Sequence, residues 1–121
     1  MPAYYADSQL KIWCTTDPPG VRLAGQVDLT NQAALAALLL ASDSHPGPAP
    51  APAPDLTVDL SEVTFLNFSA LHVLVTYASM MDRGRRLVLC TRKPVVAEML
   101  GACGWDRIEL PLTLLELIPD D

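Results

Sequence analysis

Val58-Asp59-Leu60-Ser61-Glu62-Val63-Thr64-Phe65-Leu66-Asn67-Phe68-Ser69-Ala70-Leu71 runs from an apolar strand through a short turn into a helix, the unit from which an alternating architecture is built. Leu56 to Leu60 reads as a strand with mixed faces, leading through Ser61-Glu62-Val63-Thr64 to Phe65-Leu66. A tight turn follows, and Ser69 opens a helix predicted to reach about Arg83. Gly84 ends it, since glycine most easily takes the left-handed conformation found after helix C-termini.

Working outward toward the C-terminus, Leu87-Val88-Leu89-Cys90 is continuously apolar, the mark of a strand covered on both faces. Pro94 suits the first turn of a helix through Leu100, stopped by Gly101 and Gly104. Arg107-Ile108-Glu109-Leu110 is expected as a last short strand, and Thr113 to Ile118 as a final helical turn or two. Toward the N-terminus, Leu10, Ile12 and Cys14 alternate with Lys11 and Trp13, a period-two strand. Asp17-Pro18-Pro19-Gly20 forces a turn into a second alternating strand, Val21 to Val27. Thr30 or Asn31 can cap a helix through Ala41, with Leu35, Leu38 and Leu39 on one face. The segment within 43–54, with His45-Pro46-Gly47-Pro48 and then alternating Ala-Pro, is neither helix nor inner strand, because its prolines lack the N–H both require. It is expected as an extended, polyproline-like surface tether.

The predicted order is β-β-α-β-α-β-α-β-α. An opening hairpin followed by strand–helix alternation gives an α/β fold with a mixed, mainly parallel sheet and flanking helices. The 121 residues fit one domain spanning 1–121, and half of them are hydrophobic, enough for a continuous core. A net charge of −6 argues against nucleic acid or an anionic membrane as the main partner. The local basic run of Arg83, Arg85, Arg86, Arg92 and Lys93 is expected as a solvated face. Three widely spaced cysteines, Cys14, Cys90 and Cys103, show no metal-binding spacing, and Cys14 and Cys90 lie in apolar runs as small hydrophobes. With no signal-peptide pattern and no apolar run long enough for a bilayer, a cytoplasmic location is expected.

The sequence carries no phosphate-binding glycine loop, no nucleophile elbow and no carboxylate pair placed for acid–base work. His45 lies in the proline-rich segment and His72 on a helix flank, both expected to be solvated. No catalytic residue, metal site or cofactor is predicted, and the chain does not read as an enzyme. The informative group is Ser69. A helix start concentrates unpaired N–H groups and the positive dipole end, so a phosphate there is tolerated by the fold and adds about two negative charges to a loop. Serine at a helix start is also a preferred cap, so the residue alone fits either role.

The same stretch resembles the STAS family, whose pattern is a strand ending Asp-Leu-Ser/Arg-x-Val-x-Phe-(Ile/Leu)-Asp-Ser-(Ser/Thr)-Gly-Leu. The matching residues are Asp59-Leu60-Ser61, Val63, Phe65-Leu66, Ser69 and Leu71. Val21 to Leu29 is similar to the family's second-strand "L-x-G-x-(I/V)-D" segment, Gly84 to Leu89 to its "G-G-x-L-x-L", and Gly104 to Ile108 to its closing "G-(L)-x-x-(I/L)". These matches run in the family's order over about residues 8–118.

The resemblance implies a bacterial transcription-regulating module of the anti-sigma-factor-antagonist type. Its partner would be an anti-sigma factor, a serine-kinase-like ATPase that ends binding by phosphorylating the serine at the helix start, here Ser69. The implied partner-binding residues are Asp28, Asn67, Phe68, Ser69 and Ala70, and the chain would be a monomer or weak homodimer. The alternative is a STAS adaptor or ligand-sensing subunit, not phosphorylated, in a stressosome-like complex or beside a lipid-transport ATPase. Three positions depart from the pattern: Asn67 stands for the usual aspartate, Phe68 for the first serine and Ala70 for glycine. Asparagine keeps the shape without the charge, alanine adds a methyl group, and Phe68 either tucks inward or contacts the partner.

Helical spacing adds one observation of its own. Leu71, Leu74, Val75 and Ala78 share the face expected to pack on the sheet, while Val73, Tyr77 and Met80 lie on roughly the opposite one. That second face is either covered by the final helix or the proline-rich segment, or it joins the partner surface through Val73 and Tyr77.

Overall fold

The alternation read in the first two strands becomes an antiparallel hairpin in a computed structural model that describes residues 4–16, 18–43, 54–81, 84–92, 94–105 and 110–116. Strand β2 (Leu10–Thr16) pairs with β3 (Pro19–Val27), and an additional edge strand, β1 (Tyr4–Ala6), pairs antiparallel with β2. The sequence reading has no strand at 4–6. Asp7 makes it, because its Oδ1 accepts the N–H groups of Gln9 and Leu10 and turns the chain back on itself.

From β3 the chain runs through α1 (Gln32–Asp43), β4 (Leu56–Leu66), α2 (Phe68–Ser79), β5 (Leu87–Thr91), α3 (Val95–Ala102) and β6 (Leu112–Glu116). The six strands lie in sequence order, with β3 to β6 parallel. The expected mixed, mainly parallel α/β fold is therefore present, with helices between consecutive parallel strands as crossover connections require.

The differences lie in particular elements. Strand β4 does not end at Leu60. It continues to Leu66, with register shifts against β3 between Arg22 and Ala24 and between Gly25 and Gln26. Thr113 to Glu116 is strand, not helix. A run such as Leu112-Thr113-Leu114-Leu115 fits either period, and the free edge of β5 decides it by offering a ladder. Helix α2 ends at Ser79 rather than near Arg83, while Gly84 takes the expected positive φ of 88°. The predicted strand residues Arg107–Glu109, Arg83, Ile118, Lys93 and His45 with the rest of 44–53 lie outside the described residues.

One apolar cluster joins the strands to all three helices, including Ile12, Leu23, Leu35, Leu39, Val58, Leu74, Leu89 and Leu100. In β5 only Leu87, Leu89 and Thr91 are buried, while Val88 and Cys90 stay half-exposed. The strand expected to be covered on both faces is therefore fully covered on one. Arg85 corrects a second expectation. It is buried, not solvated, with Nη2 2.6 Å from Asp43 Oδ1 and Nε donating to the Pro54 carbonyl at 2.8 Å. One guanidinium thus holds the end of α1 and the approach to β4.

Candidate functional site

The carboxyl ends of parallel strands are where loops converge in α/β sheets, and here β3, β4 and β5 deliver Asp28, Asn67 and Thr91 to one end. The loops after β3 and β4 are tied together. Asn67 donates its backbone N–H to the Val27 carbonyl at 3.2 Å. Behind Asp28, the buried Asn31 accepts the Asp28 N–H at 2.9 Å and donates through Nδ2 to the Gln26 carbonyl at 3.0 Å. Asp28 in turn accepts from the N–H and hydroxyl of Thr30, so this loop is closed by its own side chains.

Ser69 is not the cap of its helix. Asn67 is: its backbone is extended, and its Oδ1 accepts the Ala70 N–H at 2.8 Å. Ser69 lies one residue inside the helix, half-buried in a first turn that holds no acidic residue. The departure from aspartate to asparagine therefore keeps the capping bond and removes only the charge. Ala70 is a correction to the expected contact set. It is fully buried, because a residue one position past Ser69 faces the sheet together with Leu71, Leu74, Val75 and Ala78.

Tyr77 and Val73 are half-buried and packed against the core rather than displayed. The Tyr77 hydroxyl donates to Asp43 Oδ2 at 2.8 Å, so α1 covers this side of α2, not a final helix. Burial, reinforced by the Asp43 carboxylate, pushes the Tyr77 phenol well above its ordinary range. Met80 remains largely exposed. His72 is exposed and stacks on Trp105, with ring centroids 5.7 Å apart and planes at 11°.

Phe68 does not tuck inward; it is 51% exposed, and Phe65 is 52% exposed beside it. The second register shift in β4 explains Phe65. Val63 faces the core, and strict alternation would send Phe65 there too, but the shift sets Phe65 opposite Gln26 and leaves Leu66 buried opposite Val27. Thr64 Oγ1 fixes the irregularity by donating to the Gly25 carbonyl at 3.2 Å.

Phe65 and Phe68 border an open groove of about 570 Å³ between the end of β4 and α3, whose far wall is Val95, Glu98, Met99 and Ala102. The sequence reading missed the α3 wall. Its signal was Pro94, which starts a helix straight after β5 and so brings that helix beside the end of β4. The groove is mainly apolar, and among the described residues Glu98 is the one charged side chain along it.

Among the described residues, no cluster of three or more histidine, cysteine or acidic side chains is placed to hold a metal, and no helix is long and apolar enough to cross a membrane. Burial, with Asp59 adding to it, pushes the Cys90 thiol up, away from the thiolate that nucleophilic chemistry needs. What this end of the molecule offers is surface: a hydroxyl, two aromatic rings and an apolar groove.

Comparison with known proteins agrees with this architecture. No curated protein matches the chain. Among solved structures, a crystal structure of an anti-sigma factor antagonist from Mycobacterium paratuberculosis aligns with a TM-score of 0.65 at 18% identity, covering 97% of this chain and 86% of that chain. A family model described as "Mlab, STAS domain" matches residues 14–116. The chain therefore belongs to the STAS domain family, with the fold of an anti-sigma factor antagonist.

Proposed function

We propose that the protein is a protein-binding module of the anti-sigma-factor-antagonist type, which docks an anti-sigma, serine-kinase-like ATPase on the carboxyl end of its sheet. The observation that carries this reading is the exposure of Phe65 and Phe68 on either side of the Asn67 cap. Aromatic side chains left in water beside a groove are the usual anchors of protein interfaces. Asp28 and Ser69 would lie at the margin of the contact.

In this reading the partner transfers the γ-phosphoryl group of ATP to Ser69 Oγ, which loses its proton as ADP is released. The acid-free first turn of α2 accepts that charge. A dianion next to Phe68 in the chain would instead disfavour the apolar contact and release the partner. The protein acts as the acceptor, and no catalysis of its own is proposed.

The test is incubation with anti-sigma kinases and ATP, followed by mass spectrometry and a binding measurement. We expect phosphate on Ser69 after incubation with a partner that binds the unmodified chain, and at least about tenfold weaker binding for Phe68→Ser with unchanged thermal stability. A partner that binds but leaves Ser69 unmodified would remove the switch and leave the module. The second reading, an unphosphorylated STAS adaptor in a stressosome-like complex or beside a lipid-transport ATPase, draws support from the Mlab type of the matching family model. The identity of the prey in a native pull-down separates the two.

A further inference from the structure

The sheet has two faces, and among the described residues the helices cover one. Strands β3 to β6 advance one place at each crossover in a single direction. Right-handed crossovers of that kind lay α1, α2 and α3 on the same side. Burial follows: Ile12, Leu23, Val58 and Leu89 are 0% exposed, whereas among the described residues no side chain of opposite parity in β2, β3 or β5 is buried.

On the open face the register sets one residue from each strand in a row: Tyr4, Trp13, Arg22, Asp59, Cys90 and Leu115. Tyr4 and Trp13 are in ring contact at 5.9 Å, and the Arg22 guanidinium lies over Trp13 at 5.6 Å. The first register shift in β4 also returns Glu62 to this face, where it binds Arg22 at 2.9 Å. The row therefore has an aromatic end, an aliphatic end, and two opposite charges side by side at its centre. Reversed end for end, it is complementary to itself.

We infer that this face is the interface of a homodimer, packed sheet to sheet about a two-fold axis that lies between the sheets and parallel to the strands. That operation sets Arg22 over the partner's Asp59, Trp13 over the partner's Cys90 and Tyr4 over the partner's Leu115. The charge complementarity selects a second copy, because the same patch supplies both halves, as an isologous contact requires. Arg22 keeps most of its five N–H donors for this after the single bond to Glu62, and its side chain is 48% exposed. The neighbouring row of Thr15, Gly20, Thr57, Val88 and Thr113 has small side chains, and the Arg86 guanidinium lies over its far end, donating through Nε to Thr113 Oγ1 at 2.7 Å.

The face spans roughly 24 Å across six strands and about 20 Å along them, roughly 500 Å² per copy against about 800 Å² in a standard interface, so the dimer dissociates on dilution. The axis leaves strand direction unchanged. Both Ser69 loops therefore point to the same end of the dimer. The interface itself does not depend on what Ser69 does.

The test uses a cross-link that cannot form within one chain. Positions 13 and 90 lie three strands apart, about 14 Å, twice the Cα separation a disulfide tolerates. In a Cys103→Ser background, which removes an exposed thiol, Trp13→Cys should give on mild oxidation a covalent dimer joined from position 13 to Cys90 by peptide mapping. Sedimentation of the unaltered chain should show concentration-dependent dimerisation. Arg22→Asp and Asp59→Arg should each weaken it by about tenfold or more, and the double exchange should restore it. Circular dichroism confirms that each variant is folded. A chain that stays monomeric up to millimolar concentration overturns the inference. So does a dimer without the 13–90 link that is indifferent to both charge reversals.

Discussion

At its first turn α2 meets solvent with a neutral cap, a hydroxyl and an exposed phenylalanine; at its last two turns it meets Asp43, Arg85 and the end of α1 through the Tyr77 hydroxyl. The first end spends its polar groups on local geometry and leaves its apolar groups uncovered. The second end does the reverse. Its phenol, carboxylate, guanidinium and the Pro54 carbonyl satisfy one another in a partly buried network. The difference teaches how a domain of this size separates its tasks. Removing a group from the closed end leaves a buried charge or donor alone, so the loss falls on stability. Removing a group from the open end deprives only a partner.

The largest effect should come from breaking the closed end. Arg85→Met takes the cation from the Asp43 carboxylate and leaves it the Tyr77 hydroxyl; the Asp43 side chain is 19% exposed and the Arg85 side chain 9%. It should cost about 3–5 kcal/mol in chemical denaturation. A loss under about 1 kcal/mol would show that the pair behaves as a surface ion pair, and the contrast between the ends would vanish.

An intermediate effect belongs to the open end's one structural bond. Asn67→Ala removes the cap on the Ala70 N–H and should cost about 1 kcal/mol. Asn67→Asp should retain or slightly raise stability through the helix dipole, by at most about 1 kcal/mol. If the aspartate variant also took phosphate at Ser69 faster, asparagine would be a brake on the proposed switch; equal rates would confine position 67 to geometry.

The smallest effect is a slope. Because Tyr77 holds its proton to higher pH in the folded chain than in the unfolded one, the unfolded state loses that proton first. This contribution to stability is complete below about pH 10, the ordinary phenol range, and is lost as pH rises toward the folded value. Tyr77→Phe should flatten the alkaline decline of the melting temperature without touching the neutral range beyond the lost hydrogen bond, about 1 kcal/mol. An unchanged alkaline slope would place Tyr77 outside the closed network.

Much of this was legible in residue order. The hairpin followed from period-two alternation on both sides of Pro18-Pro19, and the parallel sheet from strand–helix alternation, because each is written in local spacing. Leu71, Leu74, Val75 and Ala78 face the core for the same reason. The family pattern brought Asp28 and the Asn67–Ser69 turn to notice, and the fold sets both at the end of the sheet. What spacing did not convey was cover. Arg85 reads as one of a basic run, yet its partners come from Asp43 and Pro54, 42 and 31 positions away. Tyr77 reads as outward-facing because a helical wheel knows nothing of α1.

Residue order alone, then, carried the opening hairpin, the strand–helix alternation, the inward face of α2 and the serine near its start. These are consequences of bond geometry and periodicity acting over a few residues. Only the tertiary structure decided that Asn67 rather than Ser69 caps α2, that β4 slips twice so that Phe65 points to solvent, and that Thr113 to Glu116 joins the sheet. It also decided that, among the described residues, one face of the sheet is left uncovered. Each of those outcomes depends on which distant segment supplies the competing hydrogen bond or the covering side chain. That competition is settled in space, not along the chain.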